Sequence, residues 1–329
     1  MKAANNRVLV AAVCVLVLAV VAVLVFQPGA PQASEEGEVI RVAYLPVVQS
    51  LPLFVAVEQG MFEKEGLGVE LERIESPNQI IDALVSGNVD AGAPSVAAGI
   101  VAIVELKKPN SLRAYSLTCG TFEHLNDELL VAKDSDISSI QDLRGKRLGH
   151  IPGVQFSTMA KKILMENGVS PSEVTLVELP VPSQLPTLAS GGVDAVLTLE
   201  PTGTVGAQKN VSRILVANPM VRYVSDPWCG GAGVVSTRFV EERPEEAKAF
   251  VRVMRQAIIE TQENSTTRIY LVEYLGMPES VAEEAPLPLM VSSENIDPEI
   301  VQAYQQFVDV FYELNVTDGQ LDVEELLLD

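Results

Sequence analysis

DALVSGNVDA at residues 82–91 returns as PTLASGGVDA at residues 186–195, so the chain carries one short pattern twice. In both copies an apolar helix end runs into a glycine, and a Val-Asp-Ala triplet follows. Glycine adopts the left-handed conformation that ends a helix, and the apolar residues after it begin a buried strand. The pattern therefore predicts a helix, a turn and a strand in each half of the chain.

The segments around the two copies are also alike. RVAYLP at residues 41–46 corresponds to RLGHIP at residues 147–152, and in each an apolar strand enters a proline-bearing loop. Strands and helices alternate in both halves, an order that favours a parallel-rich sheet flanked by helices. We therefore predict an α/β protein of two similar lobes, with a cleft between them of the kind that binds small ligands.

The chain is predicted to cross between the two lobes twice. One strand is expected to carry the chain out of lobe one, and a second strand is expected to bring it back. The sequence thus predicts lobe one at residues 39–130 and 230–329 and lobe two at residues 131–229. The two crossing strands would form a hinge.

Residues 1–38 are predicted to form a membrane segment and a linker. The stretch from Val8 to Phe26 is an unbroken apolar run preceded by Lys2 and Arg7. Its length is close to the roughly 20 residues that cross a bilayer and exceeds the roughly 7–15 of a signal-peptide core. We favour an uncleaved anchor over a cleaved signal peptide. Both place the rest of the chain outside the cytoplasm, because the positive residues stay inside.

Composition narrows the classes of partner. The 329 residues are 47% hydrophobic, which is enough for two buried cores, and the formal net charge is −21. Such an acidic chain is not expected to bind nucleic acid, and it repels anions at long range. Any anion site must therefore be built from local donors.

The sequence beyond the N-terminal segment contains two cysteines, Cys119 and Cys229. An oxidising exterior permits a disulfide between them, and two small buried apolar residues are the equally weighted alternative. The sequence contains no metal-ligand spacing, Ser-His-Asp arrangement or phosphate-binding glycine loop, so neither a metal nor a cofactor is expected.

Ligands of open α/β sheets bind beyond the carboxyl ends of the strands. Loops at 47–50 and 94–95 in lobe one, and at 153–158 and 200–202 in lobe two, meet that condition. The side chains expected to bind a ligand, including a tryptophan near the return strand, are Gln49, Ser50, Ser95, Gln155, Ser157, Thr158, Glu200 and Trp228. Two of the loops run into helix N-termini, whose N–H groups and positive dipole suit an oxyanion.

Several of these residues have a second interpretation. Ser50 and Ser157 are equally well explained as helix caps. Glu200 fits either an amine of the ligand or a contact at the hinge. Trp228 fits either a ring stacked on the ligand or a wedge buried between the lobes. Because no Arg or Lys stands in the four loops, we expect a ligand of charge −1 or a zwitterion.

Several motifs resemble one family of binding proteins. They are MFEKEGL at residues 61–67, IQDLRGKR at 140–147, GGVDA at 191–195 and the pair Glu200-Pro201. In order and spacing they are similar to the nitrate/taurine/sulfonate type of periplasmic substrate-binding protein, which serves ABC importers and has thiamine-pyrimidine-precursor relatives. The resemblance implies a type II fold, whose two lobes close by a hinge on one small solute and deliver it to membrane permease subunits.

The resemblance also includes a departure and an alternative. The family commonly has an aromatic residue just before the Glu-Pro pair, where this chain has Leu199, so stacking on the ligand from that position is not expected. Enzymes on the same scaffold, of the thiamine-pyrimidine and menaquinone pathways, provide the alternative function. The pyrimidine synthase relies on a Cys-rich cluster and a reactive His, whereas this chain offers two cysteines with His124 and His150. We therefore predict a monomeric solute-binding protein without enzymatic activity.

Overall fold

The computed structural model describes residues 38–328 and confirms an α/β protein with two mixed sheets flanked by helices. The predicted membrane segment at Val8 to Phe26 lies outside these residues. Within them, the strands are β1 (Ile40–Tyr44), β2 (Val69–Arg73), β3 (Ala91–Ala97), β4 (Leu112–Gly120), β5 (Asp127–Ala132), β6 (Arg147–His150), β7 (Thr175–Glu178), β8 (Ala195–Leu199), β9 (Ser212–Ala217), β10 (Trp228–Ser236) and β11 (Leu289–Ser292).

The α-helices of the same stretch are α1 (Leu51–Glu58), α2 (Met61–Lys64), α3 (Pro77–Ser86), α4 (Ala98–Lys107), α5 (Val154–Glu166), α6 (Val181–Ala189), α7 (Thr202–Gln208), α8 (Pro219–Tyr223), α9 (Thr237–Glu242), α10 (Pro244–Glu263), α11 (Ile269–Leu275), α12 (Glu279–Glu284) and α13 (Pro298–Glu313). None of these helices is long and apolar enough to cross a membrane. Short 3-10 turns lie at Val48–Ser50, Ile140–Leu143, Pro171–Glu173, Ser265–Arg268, Ser293–Asn295 and Val323–Leu326.

The two sheets repeat one arrangement of strands. Lobe one is built on a six-stranded sheet of order β11-β4-β10-β3-β1-β2, and lobe two on a five-stranded sheet of order β7-β6-β8-β5-β9. β1 pairs in parallel with β2 and β3, as β6 does with β7 and β8. In the sheet of lobe one, the antiparallel strand β10 lies next to β3 on the side away from β1. In the sheet of lobe two, the antiparallel strand β5 lies next to β8 on the side away from β6. Each of these antiparallel strands follows a passage of the chain from the other sheet.

The repeated Val-Asp-Ala triplet ties the third parallel strand of each lobe to the first. Asp90 Oδ2 accepts the Arg41 backbone N–H at 2.9 Å, and Asp194 Oδ2 accepts the Arg147 backbone N–H at 2.8 Å. The glycine that follows the helix has φ of 78° in the first copy and 72° in the second, a conformation that L side chains avoid. The repeat therefore specifies a turn and a polar tie as well as an apolar pattern.

The chain passes between the sheets at residues 121–126 and 218–227. The expected boundary after residue 130 falls inside β5, which pairs with β8 from Asp127 onward. The return boundary at residue 230 falls inside β10 in the same way. An apolar run in the sequence does not reveal which sheet a central strand joins. We propose the two crossovers as the lobe boundaries.

Two features hold the crossovers together. Asn218 Oδ1 accepts the Asn126 backbone N–H at 2.9 Å, and Asn218 Nδ2 donates to the Thr121 carbonyl at 2.7 Å. A disulfide joins Cys119, near the end of β4, to Cys229, near the start of β10. The strands through which the chain leaves and re-enters lobe one are thus fastened to each other next to the crossovers.

Helix α13 supports the wall of lobe one. The Tyr304 hydroxyl donates to the Ala98 carbonyl at the start of α4 at 3.0 Å. The Phe307 ring packs edge-on against the Trp228 ring, with 5.4 Å between their centroids. The indole of Trp228 therefore packs against an apolar surface of α13.

Candidate functional site

A small cavity lies between the strand ends of the two sheets. Its lining residues are Leu45, Gln49, Pro77, Ser95, Ala97, Thr118, Asn126, Gln155, Phe156, Leu199, Trp228, Gly230 and Gly231. They come from both lobes and from the first crossover, and none of them carries an ionisable side chain. The cavity volume is about 20 Å³, which is the space of one water molecule. The lobes are therefore closed on each other in this structure.

Gln155 joins the lobes through both ends of its amide. Its Oε1 accepts the Gly99 backbone N–H at 2.8 Å, and its Nε2 donates to the Gly230 carbonyl at 2.9 Å. Gln155 lies in the first turn of α5 in lobe two, whereas Gly99 and Gly230 belong to lobe one. Its side chain is only 1% exposed. Its role in this closed form is a bridge across the cleft rather than a free donor.

Ser50 and Ser95 form part of one hydrogen-bonded corner in lobe one. Their hydroxyl oxygens lie 2.8 Å apart, Ser50 Oγ donates to the Leu45 carbonyl at 2.7 Å, and Ser95 Oγ accepts the Leu45 N–H at 3.1 Å. Ser50 makes no side-chain bond at the N-terminus of α1, so the capping interpretation is wrong. Ser95 lines the cavity, and Ser50 holds the loop beside it.

Gln49 and Trp228 each present a buried polar atom without a partner. Gln49 Nε2 donates to Asn126 Oδ1, with 2.6 Å between the two atoms, and Gln49 Oε1 has no hydrogen bond. Trp228 Nε1 has none either. Both residues line the cavity and are almost fully buried. Buried polar groups are normally hydrogen-bonded, which makes these two atoms candidates for contact with a ligand.

The indole of Trp228 fits closely against the return strand. A Cβ on Gly230 would lie 2.0 Å from the ring, so only glycine leaves room for the indole there. The ring packs between β10 and Phe307 of lobe one and also forms part of the cavity wall.

Ser157 and Thr158 are not among the residues that line the cavity. Ser157 Oγ donates to the Val154 carbonyl within α5 at 3.1 Å, and Gly153 rather than a serine precedes the helix, so Ser157 is not its cap. Thr158 is fully buried, and its hydroxyl has no partner in the described structure. Both residues lie within α5 rather than in the loop before it.

Glu200 faces into lobe two instead of the cavity. Its carboxylate accepts the Thr204 hydroxyl at 3.0 Å and the Thr204 N–H at 3.3 Å. Burial raises its pKa above the usual range. Burial, reinforced by the neighbouring Glu200 carboxyl, also raises the pKa of Glu128, and burial raises the pKa of Asp127 to about 7. These three carboxyl groups lie in the protein interior. The backbone carbonyl of Glu200 accepts the Val48 N–H across the cleft at 3.3 Å.

A second bridge between the lobes lies at an exposed rim. Gln208 Nε2 in α7 donates to Glu284 Oε2 in α12 at 2.7 Å, and the Ser280 hydroxyl donates to Gln208 Oε1 at 3.1 Å. A larger groove of about 290 Å³ opens on this side, lined by residues of both lobes that include Arg73 and Lys209. Leu45 lines the cavity, and the next residue, Pro46, lines this groove.

Sequence reasoning missed several lining residues. Asn126 lies in the first crossover, Thr118 lies near the end of β4, and Gly230 and Gly231 lie in β10. The rule that points to strand ends was applied to the parallel strands alone. Thr118 and Gly231 lie on antiparallel strands that pass through the centre of the sheet, and their pairing across 113 residues of chain has no local signal.

The sheets, the crossovers and the interlobe cavity define a protein of the periplasmic-binding-protein fold. The alkanesulfonate-binding protein SsuA from Xanthomonas axonopodis pv. citri, solved with MOPS bound, superposes with a TM-score of 0.72 over 89% of this chain and 99% of that one, at 18% identity. Residues 47–266 match the family described as NMT1/THI5 like, and the chain belongs to it.

Two curated relatives represent the two kinds of function. A Bacillus subtilis (strain 168) protein assigned to aliphatic sulfonate binding is 26% identical over 95% of this chain and 93% of its own length. The 4-amino-5-hydroxymethyl-2-methylpyrimidine phosphate synthase of Schizosaccharomyces pombe is 23% identical over 64% of this chain and 61% of its own. The resemblance seen in the sequence is thereby confirmed at the level of the family.

Proposed function

We propose that this chain is the extracytoplasmic solute-binding component of an ABC importer. One small anionic or zwitterionic solute, such as a sulfonate, taurine or nitrate, would bind between the lobes. The observation that carries this proposal is a neutral cavity walled by both lobes and closed by Gln155, a residue that bonds to lobe one from lobe two. The permease subunits would be the membrane partner, residues 1–38 the tether, and the monomer the working form.

The closed cavity explains how the lobes would hold a solute. Its volume of about 20 Å³ is too small for a molecule of several heavy atoms, so the lobes must separate for entry and close less tightly around the solute. Motion at the two crossovers can supply this change, since domains that close around ligands move at a few connecting residues. The permease would then distinguish the closed form from the open one.

The groups that line the cavity limit the net charge of the solute. The lining offers hydroxyl, amide, indole and backbone groups, which stabilise one negative charge through hydrogen bonds. A second charge would be desolvated without a counter-ion, inside a chain of net charge −21. We therefore propose a net charge of −1 or a zwitterion.

The positions of the reactive residues favour binding over catalysis. His150 is buried with Nδ1 at 2.8 Å from the Ile151 carbonyl, and burial lowers its pKa, while His124 contacts Thr121. Neither histidine lines the cavity, and the two cysteines of the described region form the disulfide. In residues 38–328 no group of three His, Cys, Asp or Glu is placed to hold a metal ion.

Thermal melting of the full chain with small sulfonates, nitrate, bicarbonate, amino acids and pyrimidines tests the proposal. A solute at a hundredfold excess over its Kd stabilises the folded form by about 2.7 kcal/mol, which shifts the melt clearly. We expect one class to do so and Ser95→Ala to weaken its effect. Ser157→Ala is the matched control, because Ser157 does not line the cavity.

Three results would overturn the proposal. The first is that no member of the panel stabilises the chain. The second is equal weakening by Ser95→Ala and Ser157→Ala, which would place binding elsewhere. The third is conversion of a pyrimidine or another panel member into a new compound, detected by mass spectrometry, which would favour the enzyme alternative.

A further inference from the structure

Two residues of the cavity wall carry a buried polar atom without a hydrogen bond. The indole Nε1–H of Trp228 can only donate, and the Oε1 atom of Gln49 can only accept. The two side chains are 1% and 2% exposed, so bulk water does not reach them in the closed form. Leaving such atoms unpaired costs their full desolvation, and a ligand that pairs with them recovers that cost.

The amide of Gln49 contacts the amide of Asn126. Gln49 Nε2 donates to Asn126 Oδ1, so the end of the amide that stays free is the oxygen. Three other side chains of the wall already form hydrogen bonds within the protein. Thr118 Oγ1 donates to the Pro94 carbonyl at 2.8 Å, Ser95 bonds to the Leu45 N–H, and Gln155 uses both amide ends.

We propose that the solute carries a hydrogen-bond donor as well as an anionic acceptor. The anionic oxygen would accept from Trp228 Nε1–H, and a hydroxyl, amide or ammonium group would donate to Gln49 Oε1. This inference rests on the proposed function and narrows its solute class. Nitrate and unsubstituted alkanesulfonates offer acceptors only, so they would leave Gln49 Oε1 buried and unpaired.

Three matched sulfonates test the proposal with the full chain in a calorimeter. Ethanesulfonate has no donor, 2-hydroxyethanesulfonate adds a hydroxyl, and 2-aminoethanesulfonate adds an ammonium group. Sites that hydrogen-bond a ligand hydroxyl reject the analogue that lacks it, because the protein group is left unpaired. We expect at least one of the two substituted sulfonates to bind about tenfold or more tightly than ethanesulfonate.

Two variants separate the roles of the two atoms. Gln49→Met keeps the length of the side chain and removes the acceptor, so it should bring the preference over ethanesulfonate close to one. Trp228→Phe removes the indole N–H and keeps an aromatic ring, so it should weaken all three sulfonates by a similar factor of about tenfold.

The outcomes distinguish this inference from the proposed function. Equal wild-type affinity for all three sulfonates would refute the required donor and leave the binding function standing, and binding of nitrate alone would do the same. An unchanged preference in Gln49→Met would also refute the inference, since it would mean that another group accepts from the solute donor. Failure of the three sulfonates, nitrate and the rest of the panel to bind would refute the proposed function itself.

Discussion

Replacing Gln155 by methionine removes the two hydrogen bonds that its amide makes across the cleft and nearly preserves the volume of the side chain. In the closed form the Gly99 N–H and the Gly230 carbonyl would lose their partners, which lie at 2.8 and 2.9 Å. In the open form water can solvate both groups. The substitution should therefore disfavour closure without a comparable effect on the separate lobes.

The structure sets the size of this effect. Gly99 and Gly230 are both buried, and leaving a buried polar group unpaired costs about 1–3 kcal/mol. Two such groups destabilise the closed form by at least about 2 kcal/mol. Since about 1.4 kcal/mol corresponds to a tenfold change, we expect the Kd for the solute to rise at least about 30-fold. The loss is smaller only to the extent that the unliganded chain is already closed.

Gln208→Met is the matched control for Gln155→Met. Gln208 also bridges the lobes with both ends of its amide, through Glu284 and Ser280, but it lies at the exposed rim. Water replaces those bonds when they are lost, so the change should stay within about 1 kcal/mol, or roughly fivefold in Kd. Calorimetric titration of both variants with the solute found for the wild type measures the difference. A Kd for Gln155→Met within threefold of wild type, or equal losses in the two variants, would refute the bridging role.

Three further results are expected. Because burial raises the pKa values of Glu128 and Glu200, the folded chain holds protons that the unfolded chain releases above about pH 4.5, so the free energy of unfolding should fall as pH rises from there. Glu128→Gln should flatten this pH dependence, measured as the urea midpoint. Parallel pH profiles of the variant and the wild type would contradict this expectation. Gly203→Ala should cost about 1–3 kcal/mol in urea unfolding, because its Cβ would lie 1.9 Å from Glu128 Oε2, and an unchanged midpoint would show that the site has room. Reduction of the Cys119–Cys229 disulfide, which closes 110 residues of chain, should cost about 4–5 kcal/mol, and an identical melt with reductant would argue against that bond.

The fold was predictable because its signals are local. A glycine that ends a helix and an aspartate that ties two neighbouring strands occur in both lobes, and each acts over a few residues or one strand pair. The strand pairing next to the crossovers was less predictable. β5 and β10 are central strands whose partners lie in the sheet that the chain is entering, and this pairing depends on contacts far apart in sequence.

The candidate site was predicted in its position and only partly in its residues. Gln49, Ser95, Gln155 and Trp228 line the cavity, as the strand-end rule suggests for the loops. Glu200 does not, because its carboxyl turns to Thr204 and Glu128 inside lobe two, and Glu128 is remote in sequence. The direction of a side chain at a loop is decided by such packing, which sequence spacing does not contain.

We expect a small solute to bind in the interlobe cavity, and Trp228 offers a direct reporter of this binding. Trp228 is the one tryptophan of the 329 residues, and its indole forms part of the cavity wall. The most direct measurement is tryptophan emission of the full chain during titration with the solute panel. We expect a saturable change with one solute class, and a midpoint that moves to higher concentration in Gln155→Met. A solute that binds by calorimetry and leaves the emission unchanged would place its site outside the cavity and contradict this claim.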